Sequence, residues 1–397
     1  MRQITKLMFL FVVFTVISKI GSETGGLALI WHIHNIDSRA LSIGLLVTLN
    51  TIAAVVSYPI AGMIFDLFSR SLKRIWIFLS LVSGSIYILV SVIDDLSLIY
   101  IIVFLMGIIG GFGIIFFESS LSLLFDSERL VKVNSLLRLS NTAISLIVPI
   151  VVGLIVDKFN AGLALVLAGM ILVSRTPFVA SIAGHVKASD AIHERGSLKD
   201  SMVGFMRRIP ELYRREKEVF VVLIASSISD VFLGVVPVVY IIKLADTLNI
   251  TALNVGVVWT VIALGGILGS ILLGSIKVRP KPGYIGLGIA ALAFLTLSLS
   301  LASGLKVILV IALMWGIASA FLQIILDSYI QSTAPKDHKG LIISLRNVLE
   351  DSGFALSGIV SGLLIDLIGV HQSLIIAGLV SSVLGLMLII KSYNRYS

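Results

Sequence analysis

The stretch "MGIIGGFGIIFFESS" (Met106–Ser120) has a counterpart 209 residues later, "WGIASAFLQIILDSY" (Trp315–Tyr329). Both are apolar runs rich in small residues, and an acidic side chain stands at the same place in each, Glu118 and Asp327. An apolar run that extends over about 20 residues predicts a helix long enough to cross a membrane. Its recurrence at a fixed distance predicts two repeats of such helices.

The composition agrees with a membrane protein. Hydrophobic residues make up 57% of the 397 residues and charged residues only 13%, whereas about a quarter of a soluble domain is charged. Continuous apolar runs, without the alternation of barrel strands, favour helices as the membrane-crossing elements. We predict an all-α protein with twelve spans: 7–33, 41–65, 75–93, 98–121, 134–157, 160–184, 218–243, 253–276, 283–303, 307–331, 340–367 and 372–391.

Further matches extend the repeat along the chain. "IGLLVT" (Ile43–Thr48) matches "VGVVWT" (Val255–Thr260), and Arg138 matches Arg346. We therefore predict two six-helix halves of the same orientation, 1–184 and 218–397. A cytoplasmic linker, 185–217, joins them and contains an amphipathic segment suited to the membrane surface, the alternative being a solvated linker. Parallel repeats of this kind place a binding site between the halves and work by alternating access.

The basic residues indicate the topology. With the N-terminus inside, 24 of the 30 lysines and arginines fall on cytoplasmic segments and four on outer loops. Because basic residues accumulate on the cytoplasmic side, both termini are predicted there, in a multi-pass protein of the cell membrane. The net charge of +8 is therefore explained by the topology of the chain in the lipid bilayer, and it does not indicate a nucleic-acid partner.

No cofactor or metal is expected. The chain has no cysteine, and His32 and His34 diverge on a helix because they are two residues apart. Sequence motifs of hydrolases, metalloproteases and nucleotide-binding loops are absent, so we expect a protein that is not an enzyme and has no ATP motor of its own.

The loop after span 2 carries a family resemblance. "GMIFDLFSRSLKR" (Gly62–Arg74) resembles the G-x-x-x-D-R-x-x-x-R-R/K loop of the major facilitator superfamily, although Leu67 replaces its first arginine. The matching residues are Gly62, Asp66, Arg70, Lys73 and Arg74. The resemblance covers essentially the whole chain and implies the fold of that superfamily, with spans 1, 4, 7 and 10 lining a central cavity.

Two further stretches, "ISKIGSETGGLALIW" and "FFESSLSLLFDSERLVKVNSLLRL", resemble the exporter branch that includes macrolide and siderophore efflux proteins. That branch usually has Gly-Asp in helix 1, where this chain has Gly21-Ser22-Glu23. Of the proline-glycine motif in span 5 of proton-coupled exporters, only Pro149 and Gly153 remain. The resemblance implies a transporter, and within that class an exporter coupled to protons.

Charges inside spans 1 and 7 are the first candidates for proton coupling. Lys19 and Glu23 share one face of span 1, at positions i and i+4. They are either a local pair that stabilises a polar helix or a titratable site tuned by Lys19. Asp230 in span 7 has no basic neighbour on its own helix, which suits a proton carrier. A carboxylate bonded to water or to Lys19, with no coupling role, is the alternative.

Span 11 supplies two more coupling candidates, Glu350 and Asp351. Adjacent helix positions differ by about 100°, so only one of the two faces the cavity, and the sequence leaves open which. The acid–base sets Glu118 with Arg138 and Asp327 with Arg346 lie at matching depth on consecutive spans. Together with Asp66, Arg70 and Arg74 they are predicted to form a cytoplasmic gate, the alternative being a passive brace within each half.

The sequence also predicts the positions of several other residues. Arg175 in span 6 is expected to extend its guanidinium toward the cytoplasmic headgroups, the alternative being a role in holding an anionic substrate. Spans 8 and 11 contain Gly265-x-x-x-Gly269 and Gly358-x-x-x-Gly362, and we expect these small residues to face the other half. Substrate is expected to contact a set of aromatic and amide side chains: Phe112, Phe116, Trp315, Phe321, Gln323 and Asn347.

The leading hypothesis is a monomeric secondary transporter that exports lipophilic or amphipathic small molecules in exchange for protons. Import or facilitated diffusion of a sugar or an organic acid is the alternative within transport. A protein of the same fold that binds ligand without moving it is the alternative from another class. Anion import would require more basic cavity residues than Lys19 provides.

Overall fold

The structure is a computed structural model that describes residues 2–67, 71–185, 213–214, 216–234, 236–276, 278–333 and 339–396. Every regular element in these ranges is helical. We number the helices α1 (Arg2–Ile36), α2 (Ala40–Leu67), α3 (Leu72–Val90), α4 (Leu96–Leu124), α5 (Ser127–Lys158), α6 (Ala161–Ser174), α7 (Thr176–His185), α8 (Lys217–Leu233), α9 (Ile241–Thr247), α10 (Ala252–Gly274), α11 (Pro282–Leu299), α12 (Leu305–Thr333), α13 (Lys339–Ile368) and α14 (Val370–Tyr396), with a π segment (Val236–Tyr240) between α8 and α9.

The predicted number of spans is confirmed. Within the described ranges, twelve helical segments are long and apolar enough to cross a membrane, judged by length and composition. Spans 1 to 5 are α1 to α5, and spans 8 to 12 are α10 to α14. Span 6 consists of α6 and α7, which meet at Arg175. Span 7 consists of α8, the π segment and α9.

Short polar side chains define where several spans begin. Asp95 accepts a hydrogen bond from the backbone N–H of Leu98 at the start of span 4, and Asn160 accepts one from Leu163 at the start of span 6. Each such cap satisfies a backbone donor that the helix itself leaves unpaired, and is worth about 1 kcal/mol. These caps explain why the spans are separated by short, sharply defined turns.

Internal contacts divide the chain into two units. The first comprises residues 1–38 and 49–195, and the second comprises 39–48 and 196–397. In the first unit, span 1 packs against spans 5 and 6, and span 3 packs against span 6. In the second, the principal pairs are spans 9 and 12, 8 and 10, and 7 and 11.

The predicted domain limits, 1–184, 185–217 and 218–397, remain a prediction. The contact division differs in assigning residues 39–48, the start of span 2, to the second unit. The predicted amphipathic segment lies mostly outside the described residues.

An aromatic cluster forms one part of the core of the first unit. Phe116 is fully buried, and its ring lies 5.6 Å from that of Phe65 and 6.1 Å from that of Trp76. Phe14 stacks on Phe117 at 5.3 Å. Edge-to-face and stacked rings at these distances add to the free energy of burial. This cluster holds spans 1, 2, 3 and 4 together at one end of the unit.

The glycines of span 8 correct an expectation. A Cβ atom added at Gly265 would collide with the backbone of Leu313, and one added at Gly269 would lie 2.7 Å from the carbonyl oxygen of Ile317. Both contacts are with span 10 of the same unit, so the expectation that these glycines face the other half is wrong. They instead let two helix backbones of the second unit approach closely.

The glycines of span 11 contact the start of span 2. Gly358 lies against the backbone of Gly44, and Gly362 lies against Leu41. At the same contact, the Asp366 carboxylate accepts hydrogen bonds from the backbone N–H groups of Ala40 (2.8 Å) and Leu41 (3.0 Å). Asp366 therefore anchors a helix end, as expected from its position. All these residues belong to the second unit.

Candidate functional site

The first unit contains an ion pair within span 1. Lys19 Nζ lies 3.1 Å from Glu23 Oε2, and the Glu23 side chain is only 15% exposed. Ser145 Oγ of span 5 donates a hydrogen bond to the same oxygen at 3.2 Å. One helical turn brings the two charges onto the same face, as the spacing predicted. The carboxylate is thus held by a cation of its own helix and by a hydroxyl of a neighbouring span.

The small residues around this pair occupy a different face of span 1. A Cβ atom at Gly21 would lie 2.7 Å from Leu172 of span 6, and one at Gly25 would collide with the ring of Tyr87 of span 3. Glycine at these positions lets spans 3 and 6 approach span 1 closely. In "GSETGG" the glycines therefore form a face of span 1 that packs against spans 3 and 6, and Glu23 lies on a different face.

Arg175 of span 6 has hydrogen-bond partners that the sequence did not reveal. Its guanidinium donates to three serine hydroxyls: Nε to Ser80 (3.1 Å), Nη1 to Ser18 (3.3 Å) and Nη2 to Ser83 (2.7 Å). It also lies 5.8 Å from the ring centroid of Phe14. The expectation that Arg175 extends to the headgroups is wrong, because partners on spans 1 and 3 satisfy its donors inside the unit.

The second unit contains a polar cluster centred on Arg346. Nη2 of Arg346 lies 2.8 Å from Glu350 Oε2 and 3.0 Å from Asp327 Oδ1, and it donates to Gln323 Oε1 at 2.9 Å. Gln323 Nε2 in turn donates to Glu350 Oε1 at 3.0 Å. Nη1 of Arg346 contacts the Asn347 amide oxygen at 3.3 Å. We call Arg346, Glu350, Asp327 and Gln323 the Arg346 cluster.

Two further carboxylates lie near the Arg346 cluster. Asp230 of span 7 packs beside Gly353 of span 11. Glu350 and Arg346 are the charged groups that interact electrostatically with the Asp230 carboxyl group. The same two groups act on Asp351. Among the side chains that the structure describes, neither Asp230 nor Asp351 has a hydrogen-bond or ion-pair partner. Of the adjacent acids on span 11, Glu350 is therefore the one bound within the cluster.

Of the two predicted acid–base pairs, the described residues contain the one in the second unit and not the one in the first. The Asp327–Arg346 pair is present at 3.0 Å. In contrast, Glu118 and Arg138 are both exposed, and within the described residues no ion pair joins them. The repeat explains the difference, because Gln323 and Glu350 of the second half correspond to Ile114 and Thr142 of the first. Arg138 therefore lacks the neighbours that hold Arg346.

Of the remaining predicted gate residues, the structure describes only some. Arg70 and the side chain of Asp66 lie outside the described residues, whereas Arg74 is exposed near the start of span 3. Their proposed gate role stays a prediction.

The predicted substrate-contacting residues lie in different environments. Phe116 and Trp315 are buried, and the Phe116 ring packs against those of Phe65 and Trp76. Phe112 and Phe321 are partly buried, and Asn347 is exposed. Gln323 belongs to the Arg346 cluster. Among the described residues, no group of three or more metal-ligating side chains occurs.

Twelve helical segments long and apolar enough to cross a membrane, several of them with charged residues inside, define the class of the chain as a multi-pass membrane protein. The sequence pattern of the Major Facilitator Superfamily matches residues 7–358 and 219–395. The chain belongs to the Major Facilitator Superfamily, a family of transporters and not of enzymes.

A relative and two solved structures resemble the chain. An uncharacterized MFS-type transporter of Methanocaldococcus jannaschii is 28% identical over 181 residues, which cover 45% of this chain and 46% of that protein. The chain thus matches about half of the length of this relative. A variant of the nucleoside transporter NupG superimposes with a TM-score of 0.81 at 11% identity, over 97% of this chain and 99% of the other.

A POT family transporter in complex with 5-aminolevulinic acid superimposes with a TM-score of 0.69 at 14% identity, over 98% of this chain and 96% of the other. At such low identities the likeness concerns the fold alone. It confirms the predicted superfamily fold of twelve helices in two six-helix halves.

Proposed function

We propose that the protein is a secondary-active exporter of lipophilic or amphipathic small molecules that exchanges them for protons by alternating access. The observation that carries the proposal is the presence of carboxylates inside the spans of both units. Glu23 is held by a cation and a hydroxyl, whereas Asp230 and Asp351 have no bonded partner among the described residues. Charged groups inside membrane spans are costly and are therefore typical of transport pathways.

In this mechanism Glu23 is a switchable carboxylate. When it is ionised, it pairs with Lys19 and accepts the hydrogen bond of Ser145. When it binds a proton, the attraction to Lys19 is lost and the Lys19 ammonium is free to turn to water or to substrate. Proton binding thereby changes the charge on one face of span 1, and a change of this kind biases the balance between two conformations.

Asp230 is the second coupling carboxylate, and Asp351 is the next candidate. Because each lacks a bonded partner in the described part of the chain, each is available to a proton or to a positively polarised group of the substrate. The neighbouring Glu350 is less available, since Arg346 and Gln323 already occupy both of its oxygens. We assign coupling to Glu23 and Asp230 first and give Glu350 a role in holding Arg346.

The Asp327–Arg346 pair acts as a gate element near the cytoplasmic ends of spans 10 and 11. Ion pairs between helices rearrange when rigid bodies rotate, so they stabilise one state over another. Phe112 and Phe321, which are partly buried, remain the aromatic contacts of the substrate. Both termini face the cytoplasm of a cell whose plasma membrane contains the protein as a monomer.

The resemblance of spans 1 and 4 to efflux proteins supports the direction of transport. The fold likeness to NupG and to the POT family transporter adds nothing on the substrate, because it concerns architecture only. Import or facilitated transport of a small solute and ligand sensing are the competing functions. The experiment below separates them.

The test uses purified protein in proteoliposomes with an internal pH dye and a panel of lipophilic cations, macrolides and neutral drugs. Exchange predicts that one substrate raises the lumenal pH of acid-loaded vesicles, and that Glu23→Gln combined with Asp230→Asn abolishes the response. Asp95→Asn is the control, because that carboxylate caps span 4 at its exposed start. Uphill, pH-dependent transport by the double variant would refute the assignment. Flux without proton movement would indicate a facilitator, and saturable binding without flux a sensor.

A further inference from the structure

Arg175 is the basic residue at the junction of the two helices of span 6, and its surroundings are distinctive. α6 ends at Ser174 and α7 begins at Thr176, so Arg175 occupies the break between them. It lies ten residues before His185, the last residue of α7, and therefore about 15 Å inside the span. The three serines that it contacts lie on span 1 (Ser18) and span 3 (Ser80 and Ser83).

The charge of Arg175 has no acidic counterpart in the described part of the unit. Its partners are the three hydroxyls and the ring of Phe14. A charge inside a membrane span is costly unless polar groups surround it. Serine hydroxyls, the ring of Phe14 and the phenol of Tyr87 surround the cation, and through the serines it links three spans.

The three hydrogen bonds use three different nitrogens of the guanidinium. Nε, Nη1 and Nη2 each contact one serine, whereas a lysine ammonium would have to reach all three hydroxyls from a single nitrogen. Two of these serines join span 6 to span 3. The bond to Ser18 is the one that reaches span 1, and Ser18 is the residue directly before Lys19.

We propose that Arg175 is a positioning residue for Glu23: through Ser18 it fixes span 1 so that the Lys19–Glu23 pair meets Ser145 of span 5. This inference rests on the proposed function in so far as Glu23 is the coupling carboxylate. Ser18 and Glu23 lie on different faces of span 1, so Arg175 does not contact the pair. It acts by holding the position and rotation of the helix that presents both charges.

The hydrogen bond between Ser145 and Glu23 depends on the position of span 1. Ser145 Oγ lies 3.2 Å from Glu23 Oε2, close to the limit at which a hydroxyl hydrogen bond persists. A small displacement or rotation of span 1 would break this bond. Glu23 would then keep only Lys19 as a partner, and its carboxyl group would become more accessible to reagents.

The test compares two serine variants that each remove one hydroxyl from the same guanidinium. Ser18→Ala removes the link to span 1, whereas Ser83→Ala removes a link to span 3 and serves as the matched control. Labelling of Glu23 by dicyclohexylcarbodiimide in proteoliposomes, quantified on the Glu23 peptide by mass spectrometry, reports the accessibility of the carboxyl group directly. Melting temperatures report the stability of each variant.

We expect Ser18→Ala to accelerate labelling of Glu23 by about threefold or more, the equivalent of one lost hydrogen bond, and Ser83→Ala to leave it unchanged. Arg175→Lys should behave as Ser18→Ala, because it keeps the charge but replaces three separated nitrogens by one. Equal labelling in Ser18→Ala and wild type would overturn the proposal. Equal acceleration in both serine variants would also overturn it, because Arg175 would then be a general brace.

The labelling readout stays valid whatever Glu23 does in transport. If proton exchange is absent from the wild-type protein, the proposed function fails while the labelling difference persists. If proton exchange is present and the labelling difference is absent, the positioning role fails and the function stands.

Discussion

Arg346 and Glu350, one helical turn apart on span 11, are joined by an ion pair of 2.8 Å. The same nitrogen of Arg346 lies 3.0 Å from Asp327 of span 10. A single cation therefore balances two carboxylates, on its own helix and on the neighbouring one. Its removal would leave both of them without a charge partner among the described residues.

Replacement of Arg346 by Met should destabilise the second unit and abolish transport. Removing Arg346 leaves two partly exposed carboxylates without their cation and Gln323 without a donor, which costs about 1–3 kcal/mol. Thermal unfolding in detergent and flux in proteoliposomes measure the two effects.

Arg138→Met is the matched control, because Arg138 is the repeat counterpart of Arg346 and makes no ion pair in the described structure. We expect its unfolding temperature to stay close to that of the wild type. A similar loss of stability in both variants would show that the Arg346 cluster is not responsible.

Gly265 and Gly266 should respond in opposite ways to the same substitution. A Cβ atom at Gly265 would collide with the backbone of span 10, whereas one at Gly266 meets nothing within 4 Å. We expect Gly265→Ala to lower stability by about 1–3 kcal/mol, as overpacking does. Gly266→Ala should be neutral or stabilising by roughly 0.5–1 kcal/mol. Melting temperatures of the two adjacent variants that fail to differ would contradict the close approach of spans 8 and 10.

Loss of the carboxylate of Asp366 should weaken the contact between span 11 and the start of span 2. It accepts hydrogen bonds from the N–H groups of Ala40 and Leu41, as an N-terminal cap does. Asp366→Ala should cost about 1 kcal/mol, read from the unfolding temperature. Asp366→Asn keeps one acceptor oxygen and should lose less. The reverse order of the two variants would argue against capping.

Lys19 and Glu23 should be energetically coupled. Lys19→Met leaves the carboxylate without its cation, and Glu23→Gln leaves the ammonium without its anion. The double variant removes both charges and should be more stable than the sum of the single losses predicts, by roughly 0.5–3 kcal/mol. A double-mutant cycle of unfolding free energies measures this coupling, and additive losses would mean that the pair contributes nothing.

The number of spans could be predicted from sequence because length and hydropathy determine whether a helix can cross a membrane. The breaks in spans 6 and 7 could not be predicted in the same way. Pro177 and Pro237 lie at these places, but Pro59 and Pro149 lie inside unbroken helices. Whether a proline interrupts a span depends on the neighbouring helices that satisfy its freed backbone groups.

The ion pairs of the candidate site could be predicted where the two partners lie on one helix or at matching positions of the repeat. The Lys19–Glu23 pair follows from a spacing of four residues, and Asp327 with Arg346 from matched depth on consecutive spans. Arg175 was misjudged because its serine partners lie 92 to 157 residues away in the chain. Serine is common in membrane helices, so no local pattern distinguishes these three.

The π segment of span 7 has a consequence for the helix beyond it. Val236–Tyr240 forms one wider turn, and the indole N–H of Trp259 donates to the carbonyl oxygen of Pro237 at 2.6 Å. A π turn takes up one additional residue, so the angular phase of everything that follows lags by about 100° relative to an uninterrupted α-helix. Lys243 and Asp246 therefore point where they do because of one surplus residue earlier in the span. Deleting a single residue there would restore regular winding and turn that ion pair toward a different neighbour.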